Sequence, residues 1–159
     1  MSTKATPSKA PGSTDRIETR VEVRAPRARV WRAISTASEF SAWFRISIEG
    51  VFAPGTTVTG TSVKAGREDL KLDFQVEQIR PEDYFSYRWH PYALDPAIDY
   101  STEPTTLVEF QLEDIPGGTA VTITESGFDR IPLARRAEAF RMNQAGWTSQ
   151  SQKLAAYVA

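Results

Sequence analysis

Between residues 16 and 24, apolar and polar positions alternate. Ile17, Thr19, Val21 and Val23 share one parity and Glu18, Arg20, Glu22 and Arg24 the other, the period of a half-buried strand. Pro26 then stands at a favourable first-turn helix position, and Val30, Trp31 and Ile34 form an apolar stripe behind it. Ser38 is placed to cap a second short helix over 39–44, which carries Phe40, Trp43 and Phe44. Period-two segments follow, separated by turn signals. Residues 46–52 lead to Pro54-Gly55, 57–64 to Ala65-Gly66, and Leu70, Leu72, Phe74 and Val76 alternate with Lys71, Asp73, Gln75 and Glu77. Pro81-Glu82-Asp83 turns the chain into Phe85, Tyr87 and Trp89. After a longer stretch, 91–103, Val108, Phe110 and Leu112 share one face; Pro116-Gly117-Gly118 then marks a hairpin into Val121, Ile123 and Glu125.

The C-terminal segment changes period. Leu133, Ala137, Phe140, Gln144, Trp147, Ser151, Leu154 and Val158 recur at spacings of four and three, one face of a long helix. Gly146 is a poor helix former inside it, and its expected purpose is close approach of a strand. The predicted order is one strand, two short helices, about six strands in hairpins and one long helix, an α+β domain. A curved antiparallel sheet with one apolar face needs a lid, and the long helix is the element able to provide it. A cylinder does not fill a concave sheet, so an apolar cavity is expected between them.

Composition narrows the chemistry. Among 159 residues, 19 basic against 20 acidic side chains give a net charge of -1, which argues against non-specific nucleic-acid binding. No cysteine and one histidine exclude disulfides, thiolate nucleophiles and nearly every structural zinc site. No apolar run approaches the roughly 20 residues of a membrane helix. Residues 1–15 are rich in Ser, Thr, Lys, Pro and Ala and read as a solvated, disordered tail, with the domain over 16–159. They lack the apolar core of a secretory signal, so the expected location is cytoplasmic. G-x-x-x-x-G-K-[ST], G-x-G-x-x-G and G-x-S-x-G are all absent. No cofactor and no metal are expected.

Several segments together resemble a known family. Val30-Trp31-Arg32-Ala33-Ile34 followed by Glu39-Phe40-Ser41-Ala42-Trp43-Phe44 is similar to the opening helices of the AHSA-like family, named for the activator of heat-shock protein 90 ATPase. Phe85-Ser86-Tyr87-Arg88-Trp89 is similar to its central strand. Gly117-Gly118-Thr119, with Thr122, Thr124, Glu125, Ser126, Gly127 and Phe128, is similar to its last hairpin. Gly146-Trp147, Leu154 and Tyr157 are similar to its terminal helix. The likeness runs from about Arg16 to the end; Pro54-Gly55-Thr56 stands where members often carry a double glycine. The resemblance implies the helix-grip (START-like, SRPBCC) fold, with a small hydrophobic or amphipathic molecule held under the long helix, or a chaperone contact. It implies no shared catalytic set, and the state expected is monomer or homodimer.

The candidate ligand cavity draws on Trp43, Phe44, Phe74, Tyr87, Trp89, Phe110, Phe128, Phe140 and Trp147, residues that serve equally as plain core. Asn143, Gln144 and Glu125 are its polar members. Glu125 continues the inward parity of Val121 and Ile123, and a buried carboxylate is costly unless paired. Its expected partners are Arg88 or a helix-face amide, unless the strand end reaches water. Alternatively it fixes a ligand's polar end, or serves as general base in a polyketide-cyclase or hydrolase type of enzyme. His90, by strict alternation, faces away from Tyr87 and Trp89 towards the surface. Arg135, Arg136, Glu138 and Arg141 read as a solvated helix face.

Overall fold

A computed structural model describes residues 14–159. The elements are β1 (Arg16–Val23), α1 (Arg27–Ser35), α2 (Ala37–Phe44), β2 (Ile46–Glu49), β3 (Thr57–Ser62), β4 (Lys71–Arg80), β5 (Tyr84–Trp89), β6 (Thr106–Ile115), β7 (Gly118–Ser126), a single 3-10 turn (Phe128–Arg130) and α3 (Leu133–Val158). The seven strands form one antiparallel sheet in the order β1-β7-β6-β5-β4-β3-β2. Every neighbour is sequence-adjacent except β1 and β7. The helices α1 and α2 therefore carry the chain from one edge of the sheet to the other, and β7 returns to close beside β1, pairing Ile17 with Glu125 and Val21 with Val121.

The alternation seen along the chain sets the two faces. Val108, Phe110 and Leu112 of β6, with Phe85, Tyr87 and Trp89 of β5, point to the concave side and are buried, as do Val121, Ile123 and Glu125 of β7. Tyr84, Ser86 and Arg88 have the opposite parity. A bulge between Val76 and Gln78 lets β4 curve without losing its pairing to β5. Gly118 opens β7 because nothing larger fits. A Cβ there would lie 2.0 Å from the Val23 carbonyl oxygen.

Three expectations are corrected. α2 starts at Ala37 rather than Glu39, with Thr36 in the N-cap position and no side-chain cap, so Ser38 lies inside the helix. β2 ends at Glu49 instead of continuing to Phe52, because Gly50 leaves the strand with a φ of 114°. The third correction concerns α3. From Trp147 onward the expected face holds, with Trp147, Ser151, Leu154 and Val158 buried. Before it, Leu133, Ala137 and Gln144 are exposed, and Ala139 and Asn143 turn inward in their place. The inward residues Ala139, Asn143, Trp147 and Ser151 are four apart, so the buried face advances about 40° per step around the helix. That drift follows the twist of the sheet beneath.

Thr14 and Asp15, placed by composition in the tail, are tied to the domain. The Thr14 hydroxyl donates to Asp129, and the Asp15 carbonyl accepts from the Gly127 and Phe128 N–H groups. The remainder of the expected tail, residues 1–13, lies outside the described residues.

Aromatic rings dominate the space between sheet and helices. Phe40 of α2 sits at the centre, with ring centroids 4.8 Å from Trp43 and Phe44, 5.8 Å from Phe74 and 6.4 Å from Tyr87 and Phe110. Trp89 and Trp147 lie nearly parallel, 5.8 Å apart. Edge and offset contacts of this kind each contribute about 0.5–1.5 kcal/mol beyond area burial. Most of the expected hollow is thus filled by side chains.

Candidate functional site

Three elements converge on one buried carboxylate. Glu125, three residues before Phe128 on β7, is completely buried. Its Oε2 accepts hydrogen bonds from the Trp89 indole (2.8 Å) and the Thr106 hydroxyl (2.6 Å). Its Oε1 accepts from the Trp147 indole at 2.8 Å, and the Asn143 side-chain amide bridges both oxygens at 3.0 and 3.1 Å. Trp89 and Thr106 are a register pair on β5 and β6, while Asn143 and Trp147 are one turn apart on α3. Glu125 therefore fastens the terminal helix to three adjacent strands.

Removal from water pushes the Glu125 carboxyl above its ordinary value of 4.5, and the donated hydrogen bonds partly offset that push. Five donor contacts meet about four lone-pair sites, so the carboxylate is saturated. Among the described residues no cation takes part. Arg88 has the outward parity and pairs with Glu77 on the other face at 2.7 Å; of the two expected partners, the helix-face amide is the one present.

Above this anchor lies a recess of about 160 Å³ lined by Phe44, Trp89, Asn143, Gly146, Trp147 and Gln150. Its walls are the Trp pair held by Glu125. Gly146 does not serve a strand's approach. A Cβ built there meets no atom within 4 Å, so the glycine leaves the recess open. Gln150 donates from Nε2 to the Phe44 carbonyl at 3.2 Å and joins the end of α2 to α3.

The candidate residues separate into four groups. Trp89, Glu125, Asn143 and Trp147 meet at the anchor, and Phe44 joins three of them around the recess. Trp43, Phe74, Tyr87 and Phe110 are buried core behind it, with the Trp43 indole donating to the Ala33 carbonyl at 2.9 Å. Phe128 and Phe140 pack on each other, 5.2 Å apart, below the first turns of α3. Gln144 stands on the exposed side of α3, away from the recess. Thr106, Gly146 and Gln150 were absent from the expected set. Thr106 was within reach of the pattern, because it continues the inward parity of Val108 and Phe110; Gln150 carried no such signal.

The residues 91–103 fold back on α3. Arg135 donates from Nε to Glu103 (2.9 Å) and from Nη1 to the Pro91 carbonyl (2.7 Å), and its guanidinium lies over the Tyr100 ring. Arg135 is therefore half-buried and committed, not part of a solvated face. His90 donates from Nε2 to the Glu103 carbonyl and is half-buried as well. No group of side chains suited to a metal ion occurs among the described residues, and no helix among them is long and apolar enough to cross a membrane.

A curved seven-stranded antiparallel sheet, two short helices between its edge strands and a long C-terminal helix across its concave face define a helix-grip domain. The chain belongs to the family described as Activator of Hsp90 ATPase homolog 1-like protein, whose model matches residues 24–159. Solved structures share the fold. Protein MLL2253 from Mesorhizobium loti superposes with a TM-score of 0.70 at 22% identity, over 89% of this chain and 95% of that one. The Aha1 dimer from Colwellia psychrerythraea gives 0.67 at 20% identity, over 90% and 95%. DynU16, a protein in the dynemicin biosynthetic locus, gives 0.69 at 23% identity; the match covers 90% of this chain and 46% of that one. Among curated proteins none matches.

Proposed function

We propose that this domain binds a small, largely apolar molecule with one polar edge in the recess between the end of α2, β5 and α3. The recess itself carries the reading: an opening of about 160 Å³, walled by Phe44, Trp89 and Trp147, with the Asn143 and Gln150 amides at its rim. A cavity of roughly 150 Å³ lined by apolar side chains accepts a single benzene-sized ring. The recess therefore has room for a one-ring group. Glu125 supports the function by fixing both tryptophans, which makes the walls rigid before a ligand arrives.

The enzyme alternative has less behind it. A general base needs a lone pair free for the substrate's proton, and both Glu125 oxygens are occupied by donors. A chaperone contact rests on the family's description alone.

Gly146→Leu supplies the test. The new side chain grows into open space on a helix that tolerates Leu better than Gly, so it fills the recess without disturbing the fold. Small molecules carried through native purification are compared by mass spectrometry for the two proteins. A compound of one-ring size retained by the wild type and lost from Gly146→Leu is the expected result. Equal retention by both proteins would overturn the proposal.

A further inference from the structure

The two edges of the sheet are finished differently. At one edge β2 is short, Ile46–Glu49, and the outward N–H of Ile48 donates to the Ser41 hydroxyl of α2 at 3.1 Å. At the other edge β1 runs for eight residues, Arg16–Val23, in unbroken register with β7. It carries no proline, no lysine and no bulge, devices that commonly keep an edge strand from pairing again.

The backbone of β1 divides by parity. Gly127, one step beyond the Arg16–Ser126 pair, donates to the Asp15 carbonyl, so the odd residues Ile17, Thr19, Val21 and Val23 exchange hydrogen bonds with β7. The even residues Arg16, Glu18, Arg20 and Glu22 turn their N–H and C=O groups towards the outer edge. Among the described residues, those of Arg16, Arg20 and Glu22 have no partner. The edge also reaches solvent. Thr19 and Val21 are only half-buried on the concave side, whereas Ile123 and Val121 beside them are buried.

The even side chains read Arg, Glu, Arg, Glu. Arg16 pairs along the strand with Glu18 at 3.2 Å and Arg20 with Glu22 at 2.7 Å. Read backwards, the order becomes Glu, Arg, Glu, Arg. A second β1 laid antiparallel along this edge and centred on Thr19 therefore sets Arg16 opposite Glu22 and Glu18 opposite Arg20, each twice by symmetry. In that register even residues face even ones, so each pair exchanges backbone hydrogen bonds in both directions. Opposite charges directly across a ladder stabilise it, and like charges destabilise it. Sliding the second strand by two residues either way opposes Arg with Arg and Glu with Glu. Sliding it by one sets the outward groups of one strand against residues whose groups point away.

We propose that β1 is a self-association edge, where two copies of this chain join β1 to β1 about a two-fold axis at Thr19 and run one sheet through both domains. A second copy is the fitting partner because the edge is complementary to itself in a single register, which closes the pair and leaves no further strand to add. The proposal is independent of the recess, which is built on α2, β5 and α3.

The full chain is followed by sedimentation equilibrium from micromolar to millimolar concentration, with amide exchange at Arg16, Arg20 and Glu22 measured by NMR. A monomer–dimer equilibrium is expected, with protection of these amides rising with concentration. Two charge variants supply the decisive comparison. Glu18→Arg with Glu22→Arg makes the edge wholly basic; Arg16→Glu with Arg20→Glu makes it wholly acidic. Each alone is expected to associate about tenfold more weakly than the wild type or worse, while their equimolar mixture forms a mixed dimer of about wild-type strength. Arg20→Pro removes an outward N–H without touching the β7 ladder, and a folded monomer is expected. A wild type that stays monomeric throughout would overturn the proposal, as would charge variants that dimerise like the wild type or a mixture that gains nothing over its components. Protection of the edge amides in a monomer, unchanged by concentration, would place another part of the chain on the edge and overturn it too.

Discussion

Replacing Glu125 by glutamine tests the anchor with the smallest change in shape. The carboxylate accepts on both oxygens, whereas glutamine offers one acceptor and one amide that donates. The favourable orientation leaves the carbonyl oxygen facing Trp89 and Thr106, which keeps two bonds. Asn143 then turns its own oxygen towards the new amide. The Trp147 indole has no such remedy: its N–H faces another N–H in a buried site, 2.8 Å from where the acceptor was. One unsatisfied buried donor costs about 1–3 kcal/mol, while the variant no longer carries the desolvation of a charge. The net loss expected at neutral pH is about 2 kcal/mol, a fall of roughly 4–8 °C in Tm for a domain of this size. Chemical unfolding of Glu125→Gln, Trp147→Phe and the double variant measures it. Phenylalanine removes the opposed N–H, so the double variant should be more stable than the sum of the single losses predicts, by about 1 kcal/mol or more. Additive losses within about 0.5 kcal/mol would refute the claim that Glu125 and Trp147 form one unit.

The pH dependence of the same pair has a definite sign. The folded carboxyl titrates above its ordinary 4.5, so the native state holds the proton more tightly than the unfolded chain. Its stabilising contribution is full below that value and is lost as pH rises through the folded pKa. The stability gap between wild type and Glu125→Gln is accordingly expected to narrow as pH rises above the ordinary carboxyl value of 4.5; a gap that widens with pH contradicts this. Gly146→Ala should raise stability by about 0.5–1 kcal/mol in thermal unfolding, because the new methyl meets nothing and the helix gains propensity. Gly118→Ala should cost about 3 kcal/mol by the same assay, since backbone and not a flexible side chain stands in its way. Arg135→Gln loses the ion pair with Glu103 and the cover over Tyr100, and faster amide exchange confined to residues 91–103 is the expected readout.

All seven strands and three helices were legible in the chain, because each strand buries one parity and turn residues separate the segments. The inward position of Glu125 followed from the same parity, as did the rings of β5 and β6. What fills the concave face did not follow. Whether Phe40, Phe44, Phe74 and Trp89 enclose a hollow or pack against one another depends on distances between residues far apart in sequence. Periodicity carries no such distances; the rings pack against one another, and beside Trp89 and Trp147 stands the small opening that Gly146 keeps clear.

The first turns of α3 show the limit in another way. A repeat of four and three points Leu133, Ala137 and Gln144 inward on a straight, isolated helix. Against a twisted sheet the buried face drifts, and Ala139 and Asn143 take their places. Asn143 then reaches Glu125, which Gln144 does not. Sequence alone pointed Glu125 inward by parity and put amides on the facing helix, leaving open whether that strand end reached water. Tertiary structure decided which amide, which two indoles and which hydroxyl would meet it, because hydrogen bonds require approach within about 3 Å, and only the docking of α3 on the sheet sets that approach.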